Sequence, residues 1–299
     1  MIHAAKMAGL TIAALTMIPV NAMADGARDW VNAPIDTNFF YFYYTYSNAE
    51  ASIDSNLPID GASVDVSMPI MRYARTFDLG GRVGAIQLIV PYGFVNARLD
   101  GTSLDRSIDG IGDVQAVLVT SIYGGPSLSQ EEFVHWRPEQ YLAASLAVTA
   151  PTGKYDPGKL LNVGKNRWAF KPQLSWGQPF DWGGLLAVNA NAQLFTDNDE
   201  YRGNNVLEQD ALFSIEAHYS QNLNKAFWLS ADAFYSYGGE TSVNGNKQDN
   251  LQSTLKVGIS GSYNFSPVDA VAVSFNSTVA KRESTPSAQT FSISYSRAW

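Results

Sequence analysis

GLLAVNANAQLF, residues 184–195, is the stretch of sequence that decides the fold. Its three amide side chains occupy only odd-numbered positions, and every even-numbered position from 186 to 194 is Leu, Val or Ala. Successive side chains of a β-strand point to opposite faces, so this alternation predicts a strand with one polar and one apolar face. The same period recurs in ALFSIEAHYS (211–220), LQSTLKVGISGSY (251–263) and FSISYSRAW (291–299).

A soluble β-sandwich would alternate in the same way, but three further features favour a membrane barrel. Many segments reach about ten residues, enough to cross a bilayer at a tilt, whereas sandwich strands have about five or six. Aromatic residues gather at segment ends, as at Trp168 and Trp176, which is typical of membrane-interface girdles. Short connections such as 78–81 and 222–225 alternate with long ones such as 150–166, and 124–139 is a long exception.

The sequence therefore predicts an all-β fold: a transmembrane, antiparallel up-and-down β-barrel of about 12 strands, forming one domain over residues 25–299. The barrel must close, because each unpaired backbone group in hydrocarbon costs several kcal/mol. The closing strand ends on Trp299, which we expect at the periplasmic interface, where the barrel assembly machinery reads such ends. The predicted strands are 38–46, 63–77, 82–97, 113–123, 140–149, 167–177, 183–196, 208–221, 226–238, 250–263, 268–280 and 289–299.

The first 24 residues form a distinct segment. Lys6 precedes an apolar run over 7–20, and Ala22-Met23-Ala24 has the small-x-small pattern after which signal peptidase cleaves. We predict a signal peptide over 1–24, cleavage after Ala24 and export to the bacterial outer membrane, with a buried N-terminal helix as the alternative. Cleavage removes one lysine and no acid, so the formal net charge would change from −8 to −9.

Composition argues against several other functions. The chain has no Cys, so it can form neither disulfides nor thiolate metal sites. It is net acidic without a basic stripe, which argues against nucleic acid as a partner. No catalytic motif occurs, and we predict neither enzymatic activity nor a cofactor. The acidic side chains Asp197, Asp199 and Glu200 suit Ca²⁺ chemically, but their spacing favours a solvated loop over a metal site.

Two stretches, GIGDVQAVLV (110–119) and APTGKYDPGKLLNVGKNRWAFKPQLSW (150–176), carry closely spaced motifs. They resemble the exported barrel family named for the meta-cleavage pathway of phenol degradation. That resemblance implies an outer-membrane barrel that passes aromatic or other hydrophobic compounds, and it implies no catalytic residue. The residues that fit the family motifs are Gly110, Gly112, Asp113, Pro151, Thr152, Gly153, Tyr155, Asn162, Gly164, Asn166, Trp168 and Pro172.

The polar faces of the strands predict the lining of the lumen. His218 lies on such a face beside Glu216, so we interpret it as a lumen residue, with a general base as the alternative. The predicted lining is wet. A hydrophobic solute would instead leave sideways near Pro69, Pro91 or Pro172, because proline removes a ladder hydrogen bond, with an ordinary edge or bulge position of each proline as the alternative. The predicted permeation residues are Asn189, Asn191, Gln193, Glu216, His218, Asp232, Lys256, Arg167 and Lys171.

The loop 150–166 is predicted to constrict the barrel mouth. It combines lysines, which stand out in an acidic protein, with adjacent leucines that water would not favour. Folding the loop against the mouth would bury the leucines, whereas a mobile outer loop is the alternative. The predicted constriction residues are Lys154, Tyr155, Lys159, Leu160, Leu161 and Lys165.

Two functions follow from these patterns. The first is an outer-membrane channel for passive uptake of small hydrophobic or aromatic solutes. The second is a non-conducting structural or adhesion barrel whose outer loops bind partners. In either case we expect outer-membrane lipid and lipopolysaccharide to contact the outer surface.

Overall fold

The computed structural model describes residues 25–51, 62–99, 105–159 and 161–299. The predicted signal peptide and Leu160 lie outside these residues. Within them no helix is long and apolar enough to cross a membrane. The elements are β1 Asn38–Ala51, β2 Ala62–Asp78, β3 Val83–Leu99, β4 Asp105–Ile111, β5 Gln115–Tyr123, α1 Gln130–Phe133, β6 Tyr141–Thr149, β7 Ala169–Pro179, β8 Gly184–Phe195, β9 Asn198–Tyr201, β10 Asn205–Gln209, β11 Leu212–Asn222, β12 Phe227–Gly238, β13 Thr241–Val243, β14 Asn246–Lys247, β15 Gln252–Asn264, β16 Asp269–Lys281 and β17 Ser287–Ala298.

The main sheet closes on itself. The first strand pairs with β2 on one side and with the last strand, β17, on the other, and all pairs are antiparallel. Trp299 extends this closure, since its backbone N–H and C=O both bond to Asn38, at 3.0 and 2.9 Å. With β4 and β5 counted as one broken strand, the described residues form a barrel of 12 strands, which confirms the predicted all-β fold.

The two faces of the barrel follow the alternation read from the sequence. Ile215 and Val257 point outward, with 54% and 44% of their surface exposed. Glu216, the residue after Ile215 in the same strand, is buried inside. Outward apolar side chains can be stable only against lipid, because a surface of this extent would aggregate in water. The exposed band therefore marks the lipid-facing wall.

Along β2 the apolar side chains change from the inner face of the barrel to the outer face. In its extracellular half the apolar set Val64, Val66 and Met68 points inward and is buried. Beyond Pro69 the outward positions become apolar, as at Met71, which is 51% exposed, and Tyr73. The upper part of β2 thus has the inside-apolar pattern of a water-soluble sheet, and its lower part has the inverted pattern of a membrane barrel.

Some predicted loops contain strands. The segment 98–112 was predicted to be a loop and instead contains β4, so that prediction was wrong. The outer connections 197–207 and 239–249 contribute β9, β10, β13 and β14 to a separate four-stranded sheet. These strands are short and arise from turn-rich sequence, so their alternation is too brief to detect.

A break separates β4 from β5 at residues 112–114. β4 pairs with β3 as far as Tyr92, β5 pairs with it from Ile89, and Val90 and Pro91 have no ladder partner on this side. Proline has no N–H to donate, and the Pro91 carbonyl instead accepts the N–H of Gly112 at 2.9 Å. The break therefore follows from a single proline in an otherwise regular strand.

Arginine in place of Ile215 should destabilise the barrel by about 2 to 4 kcal/mol, because it places a charge in the lipid-facing wall. Urea unfolding of the protein in phospholipid vesicles measures this change. The matched control is Ser214→Arg on the inner face of the same strand, which we expect to cost much less. An equal loss for both substitutions would contradict the assignment of the faces.

Candidate functional site

The segment 25–37 crosses the lumen near its periplasmic end. The backbone N–H of Asp25 donates to Glu216 Oε2 at 3.1 Å, and the Asp25 carboxylate accepts from the side chains of Asn189 and Gln173. Arg28 Nε donates to Ser220 Oγ at 2.9 Å. These partners lie on the inner faces of β7, β8 and β11, so the segment occupies the lumen. We call residues 25–37 the plug segment.

The far end of the plug segment is held on the opposite wall. Asp29 pairs with Arg72 of β2 at 3.4 Å, and the Arg72 guanidinium lies over the ring of Tyr41, 4.9 Å from its centroid. Asn32 Nδ2 donates to the carbonyl of Pro126 at 3.0 Å, which ties the segment to the connection 124–140. That connection was the long exception among the alternating short and long connections, and one of its roles is to hold the plug segment in place.

Sequence reasoning missed the plug segment. It is short and has neither strand nor helix periodicity, so no sequence pattern predicted its position. The available signal was indirect: a long periplasmic connection without an obvious purpose. The plug segment narrows the axial path through the barrel.

A buried polar network lies on the wall beside the plug segment. His218, only 1% exposed, bonds through Nδ1 to Asp232 Oδ1 at 2.8 Å, and its Nε2 lies 3.8 Å from Glu216. Ser230 Oγ donates to the same Asp232 oxygen at 2.7 Å. Each carboxylate in this network therefore already has a protein partner.

The structure places every predicted permeation residue at an inward-facing position. Glu216, His218 and Asp232 are brought together, and Asn189 reaches the same network through Asp25. Asn191 also reaches it, because its Nδ2 donates to Gln173, which in turn donates to Asp25. The remaining predicted permeation residues lie elsewhere on the inner wall: Gln193, Arg167, Lys171 and Lys256. Their roles in permeation stay a prediction.

The lining of the lumen is only partly wet, which corrects the sequence-based expectation. Inward side chains of β1, β2 and β3 form a buried apolar cluster in the extracellular half, and Tyr41, Ile89 and Ile108 pack against it. We call this cluster the apolar wall. Its members are Tyr43, Ala49, Val64, Val66, Met68, Ile70, Val95 and Ala97.

The loop 150–166 is anchored by one carboxylate in the break between β4 and β5. Asp113 Oδ1 accepts the N–H of Gly153 and its Oδ2 accepts the N–H of Lys165, both at 2.8 Å. A Cβ on Gly153 would lie 2.7 Å from the Cα of Gly164, so both positions require glycine. The family-like motifs, distant in sequence, thus meet at Asp113.

Beyond this anchor the loop packs against the apolar wall. Leu161 contacts the wall, and Val163 is buried beneath Gly93. Burial lowers the pKa of Lys165 to about 8, helped by the nearby Arg167 cation and opposed by Asp113.

The other predicted constriction residues bind within the outer loops. Lys154 Nζ donates to the carbonyl of Asp109 at 2.8 Å, and Lys159 pairs with Asp156 at 3.5 Å in an exposed position. The Tyr155 hydroxyl accepts from Asn198 Nδ2 at 3.0 Å. Lys154 and Lys159 thus bind groups at the extracellular end of the barrel, and the role of these residues as a constriction stays a prediction. The described residues contain no group of three or more His, Cys, Asp or Glu side chains placed to hold a metal ion.

Comparison with known proteins gives the same architecture. An outer membrane channel from Pseudomonas putida F1 superposes with a TM-score of 0.80 at 21% identity, over 93% of this chain and 100% of that one. The β-domain of the Bordetella autotransporter BrkA gives a TM-score of 0.55 at 11% identity, over 88% of this chain and 100% of that one. A search of curated protein sequences found no match.

A closed antiparallel barrel with an apolar outer band and a plugged lumen defines an outer-membrane β-barrel protein. Residues 47–295 match the family model described as "Putative MetA-pathway of phenol degradation". The chain belongs to this family.

Replacing Asp113 with Ala should release the loop 150–166, because two backbone N–H groups lose a charged acceptor. Hydrogen bonds to charged groups are worth about 1.5 to 3 kcal/mol each, so amide exchange at Gly153 and Lys165 should accelerate at least tenfold. Hydrogen–deuterium exchange measures this directly, with Asp105→Ala as the exposed control. Unchanged exchange at both amides would rule out Asp113 as the anchor.

Proposed function

We propose that this protein is an outer-membrane channel for passive uptake of small hydrophobic or aromatic solutes. The observation that carries the proposal is the apolar wall inside a closed barrel. A pore for hydrophilic solutes gains nothing from burying Val66, Met68 and Ile70 in its interior, whereas an apolar solute is stabilised there by about 25 cal/mol per Å² of surface removed from water. The Pseudomonas putida protein of similar fold is described as an outer membrane channel, which agrees with this proposal.

The proposal extends to export and assembly. A signal peptide over 1–24 would deliver the chain to the periplasm of a Gram-negative cell, and the terminal Trp299 would serve the assembly machinery. Lipid and lipopolysaccharide would contact the exposed apolar band. We assign no catalytic role to His218, because its ring is enclosed by Asp232 and Glu216.

The route we propose leaves the barrel through its wall. Pairing between β2 and β3 skips Met68 and Pro69 on one strand and Tyr92 and Gly93 on the other. This gap adjoins the break opposite Pro91, and the apolar wall lies directly inside it. A strand pair with missing ladder bonds opens at lower cost than a regular one. A solute displacing Leu161 from the apolar wall would therefore meet a gap in the strand ladder directly outside it. The pairing of β7 with β8 has a gap of equal length at Lys171 and Pro172, but the apolar wall is built from β1, β2 and β3 and does not line that gap.

A disulfide lock tests this route. Ser67 and Phe94 face each other across β2 and β3 beside the gap, and paired residues of antiparallel strands have the Cα separation that a disulfide needs. Changing both to Cys in this cysteine-free chain should, after oxidation, abolish uptake of toluene by cells carrying the protein in their outer membrane. Reduction should restore uptake.

The control lock joins Ser214 and Ser236, whose hydroxyls lie 3.0 Å apart on β11 and β12. We expect this second disulfide to leave uptake unchanged. Normal uptake through the Ser67–Phe94 lock would show that solutes do not leave between β2 and β3.

Deleting residues 26–35 should raise single-channel conductance at least twofold, because the plug segment narrows the axial path. Planar bilayer recording measures the change, and deletion of the outer hairpin 242–247 is the control. If the plug-deleted protein assembles but gives no conductance steps, the result would favour the second candidate function, a non-conducting structural or adhesion barrel, over the channel.

A further inference from the structure

The backbone nitrogen of Asp25 lies in the lumen against a buried carboxylate. It is 3.1 Å from Glu216 Oε2, and Glu216 is only 7% exposed. The same carboxylate oxygen lies 3.8 Å from Nε2 of His218, which is too far for a hydrogen bond. The first atom of the plug segment is therefore the group that bonds this oxygen directly.

Negative charge is in excess around this nitrogen. Three carboxylates belong to the network, those of Asp25, Glu216 and Asp232, and the imidazole of His218 lies between the last two. Lys171 adds positive charge that acts on Glu216 from further away. All three hydrogen bonds that the Asp25 carboxylate accepts in the described part of the chain come from neutral side chains. Even with His218 protonated, the network thus has more carboxylates than cations.

The cationic side chain of the plug segment, Arg28, does not offset this excess. Its Nε donates to Ser220 at 2.9 Å and its Nη1 donates to Asn222 at 2.7 Å, and its Cζ lies 5.0 Å from the centroid of the Trp228 ring. A buried carboxylate without a matching cation is costly. One more positive charge beside Glu216 would therefore stabilise the network.

Cleavage after Ala24 would supply that charge at the atom that already contacts Glu216. Hydrolysis of the Ala24–Asp25 peptide bond consumes one water, leaves a carboxylate on Ala24 and turns the Asp25 nitrogen from an uncharged amide into an α-ammonium. An α-amino group is mainly protonated at neutral pH. It then has three N–H donors, as the lysine ammonium does, whereas the amide has one.

We propose that the α-ammonium of the mature protein forms a buried ion pair with Glu216 and that this ion pair holds the plug segment in the lumen. The inference rests on the proposed cleavage after Ala24 and does not require the channel function. A charge-assisted hydrogen bond is about twice as strong as a neutral one. The uncleaved chain has only the neutral amide at this position, so maturation of the protein strengthens the closure of its axial path.

The reactivity of the α-amine tests the ion pair directly. Protein purified from outer membranes should have the intact mass of residues 25–299. Its α-amine should react with an acylating reagent at least tenfold more slowly in folded protein than in protein unfolded in urea, as measured by mass spectrometry of the N-terminal peptide. A mature chain that begins at another residue would overturn the proposal, as would a folded α-amine that is as reactive as the unfolded one.

Glu216→Gln removes the partner charge and keeps the shape of the side chain. It should abolish most of the protection of the α-amine and accelerate amide exchange at Asp29 and Val31, in the first half of the plug segment, at least tenfold. The control is Glu50→Gln, at an exposed position of β1, which should change neither measurement. Heat-modifiable migration on gels verifies that each variant is folded.

The far end of the plug segment provides an internal reference for this exchange. The N–H of Ile35 donates to the carbonyl of Leu128 at 2.8 Å, and the N–H of Thr37 donates to Thr76 Oγ1 at 3.1 Å. These bonds do not depend on Glu216, so both amides should keep their wild-type exchange rates. Equal acceleration at both ends would indicate general loosening of the barrel and would overturn the specific role of the ion pair.

An N-terminal extension separates the charge from the amide. A refolded chain with two glycines ahead of Asp25 keeps Glu216 and an N–H at Asp25 but displaces the ammonium by two residues. Compared with a refolded chain that begins at Asp25, it should show the same accelerated exchange at Asp29 and Val31 as Glu216→Gln. Wild-type exchange in the folded extended protein would overturn the proposal, whether or not Glu216→Gln folds.

The ion pair and the channel function can fail separately. A protected α-amine in a protein that supports no solute uptake by cells would leave the ion pair intact and refute the channel function. Uptake of toluene through a protein whose folded α-amine is unprotected would do the reverse.

Discussion

The pairing of the first strand with the last is the constraint on which the rest of this structure depends. A sheet immersed in hydrocarbon cannot leave an edge, because water is not present to satisfy unpaired backbone groups. Closing the sheet through β1 and β17 fixes the number of strands and thereby the width of the interior. It also inverts the usual distribution of side chains in the membrane, since the apolar faces must point outward.

A closed interior of this size must be filled or hydrated, and its periplasmic and extracellular halves are filled by different kinds of side chains. The periplasmic half contains the plug segment and the network around His218 and Asp232, in which the carboxylates have hydrogen-bond partners. The extracellular half contains the apolar wall and the loop anchored at Asp113.

Much of the barrel could be predicted from the sequence because its signal is local. Alternation in 184–195 or 251–263 reports a strand without knowledge of its neighbours, and closure then follows from the solvent. Tertiary features had no such signal. The plug segment has no periodicity, and the carboxylate of Asp113 meets the Gly153 and Lys165 amides only because of the fold. The apolar wall was missed for another reason: alternation separates two faces but does not say which one is inside.

The position in β2 at which the apolar side chains change from the inner to the outer face marks one edge of the hydrocarbon layer. Above Pro69 the outward side chains of β2 include Asp65, which is paired with Arg98 at 2.9 Å and accepts a hydrogen bond from the hydroxyl of Tyr46. Directly below Pro69 they are Met71 and Tyr73. A thicker bilayer would draw this ion pair into hydrocarbon, at a cost that rises with each ångström of hydrophobic mismatch. The bacterial outer membrane is thinner than average, so its thickness suits a barrel whose apolar band ends at this proline. Bilayer thickness therefore becomes part of what selects the membrane in which this protein is stable.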